Sequence, residues 1–343
     1  MQFIKSGINI DFIGKRKIAY IVSLCLVAAT LLVLLINKGP KFGVDFSGGM
    51  LIQVKFDGPV EIDAVKSGLA SVDLENVSVQ AFGAAGDNEF LLRTDKLNTE
   101  NDSHESELAN ALTQSTGEAT EIRRVEMVGP QVGKDLREKA SFAFFYALLF
   151  ITIYISGRFE MKWLISCIIA AALIFSVYFF SIFVTGIPTL IIVALMVSLF
   201  LFWTLKLKYA MGAIVALLHD VLITMGIFTF SGKEFTLPIV AALLTIVGYS
   251  LNDTIIVFDR IRENIRKYHK DGFMIIINKS VNETLSRTLL TSMTTLIVLF
   301  ALFIWGGGII HDFAFTMIIG ILVGTYSSIY VASPILLALE GRK

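Results

Sequence analysis

The sequence is poor in charge and in cysteine. Only 17% of its 343 residues are Asp, Glu, Lys or Arg, where a soluble domain carries about 25%. Apolar residues make up 55% and mean hydropathy is +0.72. These values exclude an ordinary soluble globular protein, a disordered chain and a basic nucleic-acid binder. The two cysteines, Cys25 and Cys167, both lie in apolar runs and form neither a disulfide framework nor a CxxC metal pair. No G-x-x-x-x-G-K-[ST] loop is present to cradle ATP, and no H-E-x-x-H to bind zinc. No nucleophile–base set is visible, so the sequence predicts no enzyme, cofactor or metal. Lys+Arg and Asp+Glu both number 29, so net charge is silent about partners. The placement of the charges is informative.

What the sequence has in abundance is long apolar runs. A helix crossing the bilayer core needs about 20 mostly apolar residues. Runs at 18–36, 139–157, 163–183, 187–205, 209–229, 236–257, 288–306 and 312–336 qualify. They predict a polytopic α-helical membrane protein of about eight spans. The third and fourth come from one block, Trp163 to Leu205, too long for one helix and broken at Gly186-Ile187-Pro188. The first run follows Lys15-Arg16-Lys17 but lacks a small-residue cleavage site, so it reads as an uncleaved anchor.

Basic residues orient the spans. They concentrate in the tail 1–17 (Lys5, Lys15, Arg16, Lys17), near 158–162 (Arg158, Lys162), at Lys206 and Lys208, in the loop 258–287 (Arg260, Arg262, Arg266, Lys267, Lys270, Lys279) and at Arg342-Lys343 in the tail 337–343. The opposite loops at 184–187, 230–235 and 307–311 contain only Lys233. Both termini are therefore expected in the cytoplasm of a cell inner membrane, and residues 37–138 outside it. Residues 38–138 carry 10 basic and 18 acidic side chains, which excludes nucleic acid as a partner of this segment.

That segment shows short alternating patterns. Strands are expected at 50–56, Val77–Phe82, Glu89–Thr94 and Ala119–Met127. Helices are expected at Glu61–Ser71 and His104–Gln114, the second capped by Ser103. The order βαββαβ predicts an α+β ferredoxin-like domain. Its His104 lies in a polar stretch and reads as a solvated surface residue, so the domain reads as a binding or lever module.

Ionisable residues within spans are costly and face the bundle interior or water. Asp253 lies in V-G-Y-S-L-N-D-T, with Tyr249, Ser250 and Val257 on the same helical face. Arg287 opens the seventh span at similar depth. An Asp253–Arg287 pair can switch with protonation, or serve as a permanent ion pair that fixes packing. His219 and Asp220 lie mid-span in A-L-L-H-D-V; adjacent residues point about 100° apart on a helix, so the two are not expected to form one site. A His–Asp neighbour pair can relay protons, or one residue can face a water-filled cleft while the other is satisfied by a neighbour. His311-Asp312 falls at the edge of the last span and reads as interfacial. Gly320 and Gly324 form a G-x-x-x-G that permits close helix approach. Gly43, Gly48 and Gly49 suit a tight turn.

Several segments resemble a known family: G-V-D-F-S-G-G (43–49), V-G-P-Q-V-G (128–133), A-L-L-H-D-V-L-I-T (216–224), V-G-Y-S-L-N-D-T-I-I-V-F-D-R-I-R-E-N (247–264) and V-N-E-T-L-S-R-T-L-L-T-S (281–292). In order and over almost the whole chain, they are similar to the SecD/SecF family of protein-export membrane proteins, in the resistance-nodulation-division superfamily. The resemblance implies a complex with SecD beside the SecYEG channel. After the ATPase SecA has started translocation, that complex uses the proton gradient to assist late steps of moving unfolded secretory proteins across the membrane. It implies that Asp253 and Arg287 line a proton path, with Asp220 a further candidate and His219 and Asn252 secondary ones. Membrane lipids are the remaining partner. One departure stands out. The family normally has six spans, and here a hairpin at 163–205 separates the second span from the bundle at 209–336. It contains no Asp, Glu, Lys, Arg or His between Trp163 and Leu205, which argues against a proton role. A proton-coupled small-molecule exporter of the same superfamily is the alternative, against which the roughly 100-residue outer segment argues. A passive scaffold of the translocase is the third reading.

Overall fold

A computed structural model describes residues 9–70, 72, 77–82, 86–94, 104–160, 163–181 and 187–340. Six helices are long and apolar enough to cross a membrane among the described residues: Arg16–Ile36, Pro130–Phe159, Lys208–Phe230, Leu237–Lys267, Phe273–Trp305 and Gly307–Glu340. The elements behind them are α1 (Arg16–Ile36), α5 (Pro130–Glu160), α8 (Lys208–Phe230), α9 (Leu237–Lys267), α10 (Phe273–Trp305) and α11 (Gly307–Ser327). A π turn at Ser328–Ala332 and the short α12 (Ser333–Glu340) continue α11. Between α5 and α8 lie α6 (Trp163–Ser181) and α7 (Ile187–Thr204), whose described apolar stretches are the shorter Cys167–Ser176 and Leu195–Thr204. The protein is thus a multi-pass membrane protein. Helix α7 opens at Ile187-Pro188, where the missing N–H of proline is free of cost in a first turn. Gly186, Lys162, Ser103, Ser71, the tail 1–8 and Arg342-Lys343 lie outside the described residues.

A second, smaller unit follows α1. A single helical turn, α2 (Val44–Ser47), leads into β1 (Gly49–Phe56), then α3 (Ile62–Leu69), β2 (Ser78–Phe82), β3 (Glu89–Thr94), α4 (His104–Thr116) and β4 (Thr120–Val128). The four strands form one sheet of order β2-β3-β1-β4, every neighbouring pair antiparallel. Strand β1 alternates strictly, burying Met50, Ile52, Val54 and Phe56. These residues pack on Val65 and Leu69 of α3 and Leu108 and Leu112 of α4, the apolar positions that helical spacing places on one face.

Two boundaries differ from the expectation. The sheet unit ends at Val128, and residues 130–138 belong to α5. Pro130 suits a first helical turn, and the charges of Lys134, Asp135, Arg137 and Glu138 in the opening turns hide that start from any search for apolar runs. The expected loop 258–287 is helical except at 268–272. Helices α9 and α10 run 31 and 33 residues, about 45–50 Å at 1.5 Å per residue, against a hydrocarbon core of about 30 Å. Buried Ile261, Ile276, Ile277 and Val281 hold their protruding turns together.

The G-V-D-F-S-G-G and V-G-P-Q-V-G segments pack against each other. Gly48 has φ +76, and a Cβ there would lie 2.9 Å from Cα of Pro130. A Cβ on Gly133 would lie 3.0 Å from the Phe46 carbonyl oxygen. Only glycine allows this approach of α2 to α5.

Two apolar clusters fill the bundle. One, at the sheet end, gathers Phe46, Phe228, Phe235, Ile239, Ile246 and Ile321. The other, at the far end, gathers Phe12, Leu217, Leu251, Phe258, Val281 and Ile329. Between them α11 lies close on α9. A Cβ at Gly324 would stand 2.9 Å from the Ser250 Cβ, and one at Gly320 would overlap Ile246. Gly324→Ala should therefore cost about 1–3 kcal/mol through overpacking. Gly248, which has open space around its Cβ direction, should tolerate alanine or gain about 0.5–1 kcal/mol in its helix. Thermal unfolding of the detergent-solubilised protein measures both.

Candidate functional site

The intramembrane polar residues fall into two groups with opposite surroundings. The first centres on Asp220 of α8, which is fully buried. Its Oδ2 accepts hydrogen bonds from the hydroxyls of Ser250 on α9 (2.5 Å) and Ser327 on α11 (2.7 Å). Its Oδ1 lies 2.9 Å from His219 Nδ1. His219 Nε2 lies 3.1 Å from the Ser23 hydroxyl on α1, and Ser23 in turn lies 3.2 Å from the Tyr326 hydroxyl. Tyr326 donates to the Ala19 carbonyl at 2.9 Å, and its ring stacks on the imidazole. With Nδ1–H directed at the carboxylate, Nε2 accepts from Ser23; Tyr326 gives its own proton to the Ala19 carbonyl, so the Ser23–Tyr326 contact is a close approach without a donated proton. The group lies where the two apolar clusters meet.

This overturns the expectation that His219 and Asp220 do not share a site. Their Cβ atoms do diverge by about 100°, but the two side chains are long enough to meet beside the helix, and Ser23 and the two other serines hold them there. Ser250 belongs to Asp220; the sequence grouped it with Asp253. Ser23, Ser327 and Tyr326 were not singled out at all. The available signal was the rarity of polar groups within apolar runs: Ser23 interrupts the first span, and Ser327 stands one turn beyond Gly324.

The second group centres on Asp253, one turn beyond Ser250. It is 1% exposed, yet neither carboxyl oxygen has a hydrogen-bond partner. The buried hydroxyl of Thr288 on α10 is likewise without one. Arg287, the neighbour of Thr288, turns its side chain to the surface, and no ion pair within 4 Å joins it to Asp253. Asn252 is also exposed. Tyr249 bonds to Thr295 (3.2 Å), tying α9 to α10, and Ser292 bonds to Thr325 (2.7 Å), tying α10 to α11. The fold brings Asp253 and Arg287 to the same region of two antiparallel helices but does not pair them. An unpartnered buried carboxyl is expensive in a membrane bundle, which sets Asp253 apart from the satisfied Asp220.

At the sheet end, His311 stacks on Phe303 and bonds its carbonyl (2.8 Å), while Asp312 pairs with Lys233. These contacts close the ends of α8, α10 and α11.

Comparison with known proteins bears on the whole chain. The family model described as protein export membrane protein SecD/SecF, C-terminal, matches residues 108–199 and 181–342. The SecD/SecF GG motif matches residues 33–60, which include Gly48-Gly49. The protein translocase subunit SecF of Magnetococcus marinus is 44% identical over 99% of this chain and 95% of its own length. That of Vibrio alginolyticus is 39% identical over 100% and 93%. Among solved structures, SecDF of Thermus thermophilus, described as a translocon-associated membrane protein, superposes with a TM-score of 0.72 at 29% identity. The match covers 98% of this chain but 39% of that one, so this chain spans about two fifths of SecDF. SecDF in a super-membrane-facing form superposes with a TM-score of 0.60. With identities above 30% over nearly the full length of its relatives, the chain belongs to the SecF family of protein translocase subunits.

Proposed function

We propose that this chain is the SecF half of a SecD–SecF complex that uses the proton gradient to assist late steps of Sec-dependent protein translocation. The observation that carries the proton part is Asp253, buried within a membrane-spanning helix with both oxygens unpartnered. A proton falling through 100 mV releases about 2.3 kcal/mol, enough to bias two packings of a helix pair. Arg287, exposed on the neighbouring α10 and not ion-paired with the carboxyl, is the cation that neutralising and recharging Asp253 would release and attract. Asp220 is the second intramembrane carboxylate on this path.

The partners in this reading are SecD, the SecYEG channel, SecA in function, unfolded secretory proteins and membrane lipids. SecD is supported by the match to SecDF, whose single chain is much longer than this one. The role is non-enzymatic, in keeping with relatives named as translocase subunits. Both termini lie in the cytoplasm and residues 37–138 in the periplasm, as the lysines and arginines require. The split βαβ order and the sheet order β2-β3-β1-β4 support a ferredoxin-like fold for that domain. Helices α6 and α7 bring the spans to eight.

Inverted membrane vesicles carrying the channel, SecA, SecD and this protein test the reading. Completion of translocation is followed with and without a proton gradient. Asp253→Asn, nearly isosteric, should assemble normally and lose the gradient-dependent part. Retention of the full gradient effect by the assembled variant would overturn the assignment of Asp253.

A further inference from the structure

The sheet domain touches the membrane bundle at the outer ends of two helices. At α9, the first N–H, from Leu237, donates to Asp45 Oδ2 at 2.8 Å. Asp45 lies in α2, immediately before β1. Thr236, which precedes α9, makes no capping bond of its own, so this charge from the sheet side takes the capping role. The attachment is reinforced. The Gly43 N–H donates to the Phe235 carbonyl (2.9 Å) and the Phe235 N–H to the Lys41 carbonyl (2.7 Å). Arg93 of β3 donates to the Phe42 carbonyl (2.7 Å), bonds the Ser47 hydroxyl and lies 3.5 Å from Glu234. At α11, the ring of Phe82 from β2 lies against Gly308, where any side chain would overlap it.

The same two helices converge deeper in the bundle. Ser250 of α9 and Ser327 of α11 donate to one oxygen atom, Oδ2 of Asp220. Two donors on one acceptor tolerate little relative sliding, because a shift of one helix along the other lengthens one of the bonds. Directly after Ser327 the helix widens into the π turn Ser328–Ala332, where Ser333 bonds back to the Ser328 carbonyl at 2.9 Å. Pro334 offers no N–H to the preceding turn. Such a turn is a register break able to absorb a displacement. At the outer end, a crevice of about 340 Å³ separates the sheet from the helix ends. Its charged lining residues all have partners, Lys233 with Asp312, Arg124 with Glu126, Glu234 with Arg93 and Asp45 with the Leu237 N–H, which makes it clearance more than a ligand site.

We propose that Asp220 is the joint that gears the sheet domain to the proton-handling part of the bundle, with Ser250 and Ser327 as its two arms. Displacement of α9 against α11 at Asp220 is transmitted along both helices to Asp45 and Phe82, and tilts the sheet across the crevice. The ionisable groups at the joint are Asp220, His219 and Tyr326, with Asp253 one turn along α9 and Arg287 on α10. Asp220 is here a positioning residue, distinct from the exchange site at Asp253. The inference rests on the proton-driven reading above.

The test reads motion at the outer end. Phe82→Cys and Gly308→Cys are combined in a chain lacking Cys25 and Cys167, both replaced by serine, and the complex is studied in the same vesicles. Disulfide formation between positions 82 and 308 should change several-fold when the gradient is collapsed with an ionophore. Ser250→Ala with Ser327→Ala should flatten that difference while the complex still assembles. Oxidised vesicles should lose the gradient-dependent part of translocation and regain it on reduction, which also shows that the pair leaves folding intact. Cross-linking indifferent to the gradient, or full translocation by the oxidised form, would overturn the joint. If either occurs while Asp253→Asn still abolishes the gradient effect, the proton-driven reading stands and the gearing alone falls.

Discussion

Inside a bilayer a carboxylate must take its hydrogen bonds from neighbouring helices, since no water is at hand to supply them. Asp220 takes three, from His219 of its own helix, Ser250 of α9 and Ser327 of α11. Each is worth about 1.5–3 kcal/mol where the acceptor is charged. Apolar packing between these helices is non-directional and would allow many relative shifts. The hydrogen bonds select one, and the glycines of α11 follow from it: Gly324 must be small because Ser250 has to come close enough to reach the same oxygen as Ser327. The division of the bundle into two apolar clusters has the same origin, because a polar layer lies between them.

Asp253 lies one helical turn along α9 from Ser250, which bonds Asp220, and its own carboxyl oxygens have no hydrogen-bond partner. The two carboxylates thus differ in their surroundings: Asp220 is hydrogen-bonded within the chain, and the Asp253 oxygens are not. Ser250 lies between them on α9, three residues from Asp253 and bonded to Asp220, so a change at the open site is felt at the closed one through less than 5 Å of helix rise at 1.5 Å per residue.

The sequence exposed whatever depends on period and composition. The apolar runs, the alternation in Met50–Phe56 and the i,i+4 pair Leu108 and Leu112 each name an element that exists. Charged helix ends were illegible, since α5 begins among Lys134, Asp135 and Arg137 and a hydropathy window discards them. The Asp220 cluster was illegible for another reason. Its members, Ser23, His219, Ser250 and Ser327, are spread over more than 300 residues, and which serine faces which acid depends on helix rotation and depth. Local spacing assigned Ser250 to Asp253 because both lie on one face; the approach of α11 through Gly324 decided otherwise. The link between Asp45 and Leu237 joins α2 to the start of α9 by the same logic of tertiary placement.

The hairpin α6–α7 shows what the bundle requires of an insertion. It places two helices, α6 and α7, between α5 and α8 in the chain. Helix α5 packs on α6 and also directly on α8, so the added pair has not been wedged between the two. Ile169, Leu173 and Phe202 dip into the cluster at the end far from the sheet, while Leu164, Phe175, Tyr178, Met196 and Phe200 face outward. The two matches of the family model overlap at residues 181–199, within this hairpin. An insertion there leaves every hydrogen bond of Asp220 in place, because those come from α8, α9 and α11 and none from α5, α6 or α7. The hairpin therefore meets the bundle through apolar side chains, and the polar layer around Asp220 is built without it.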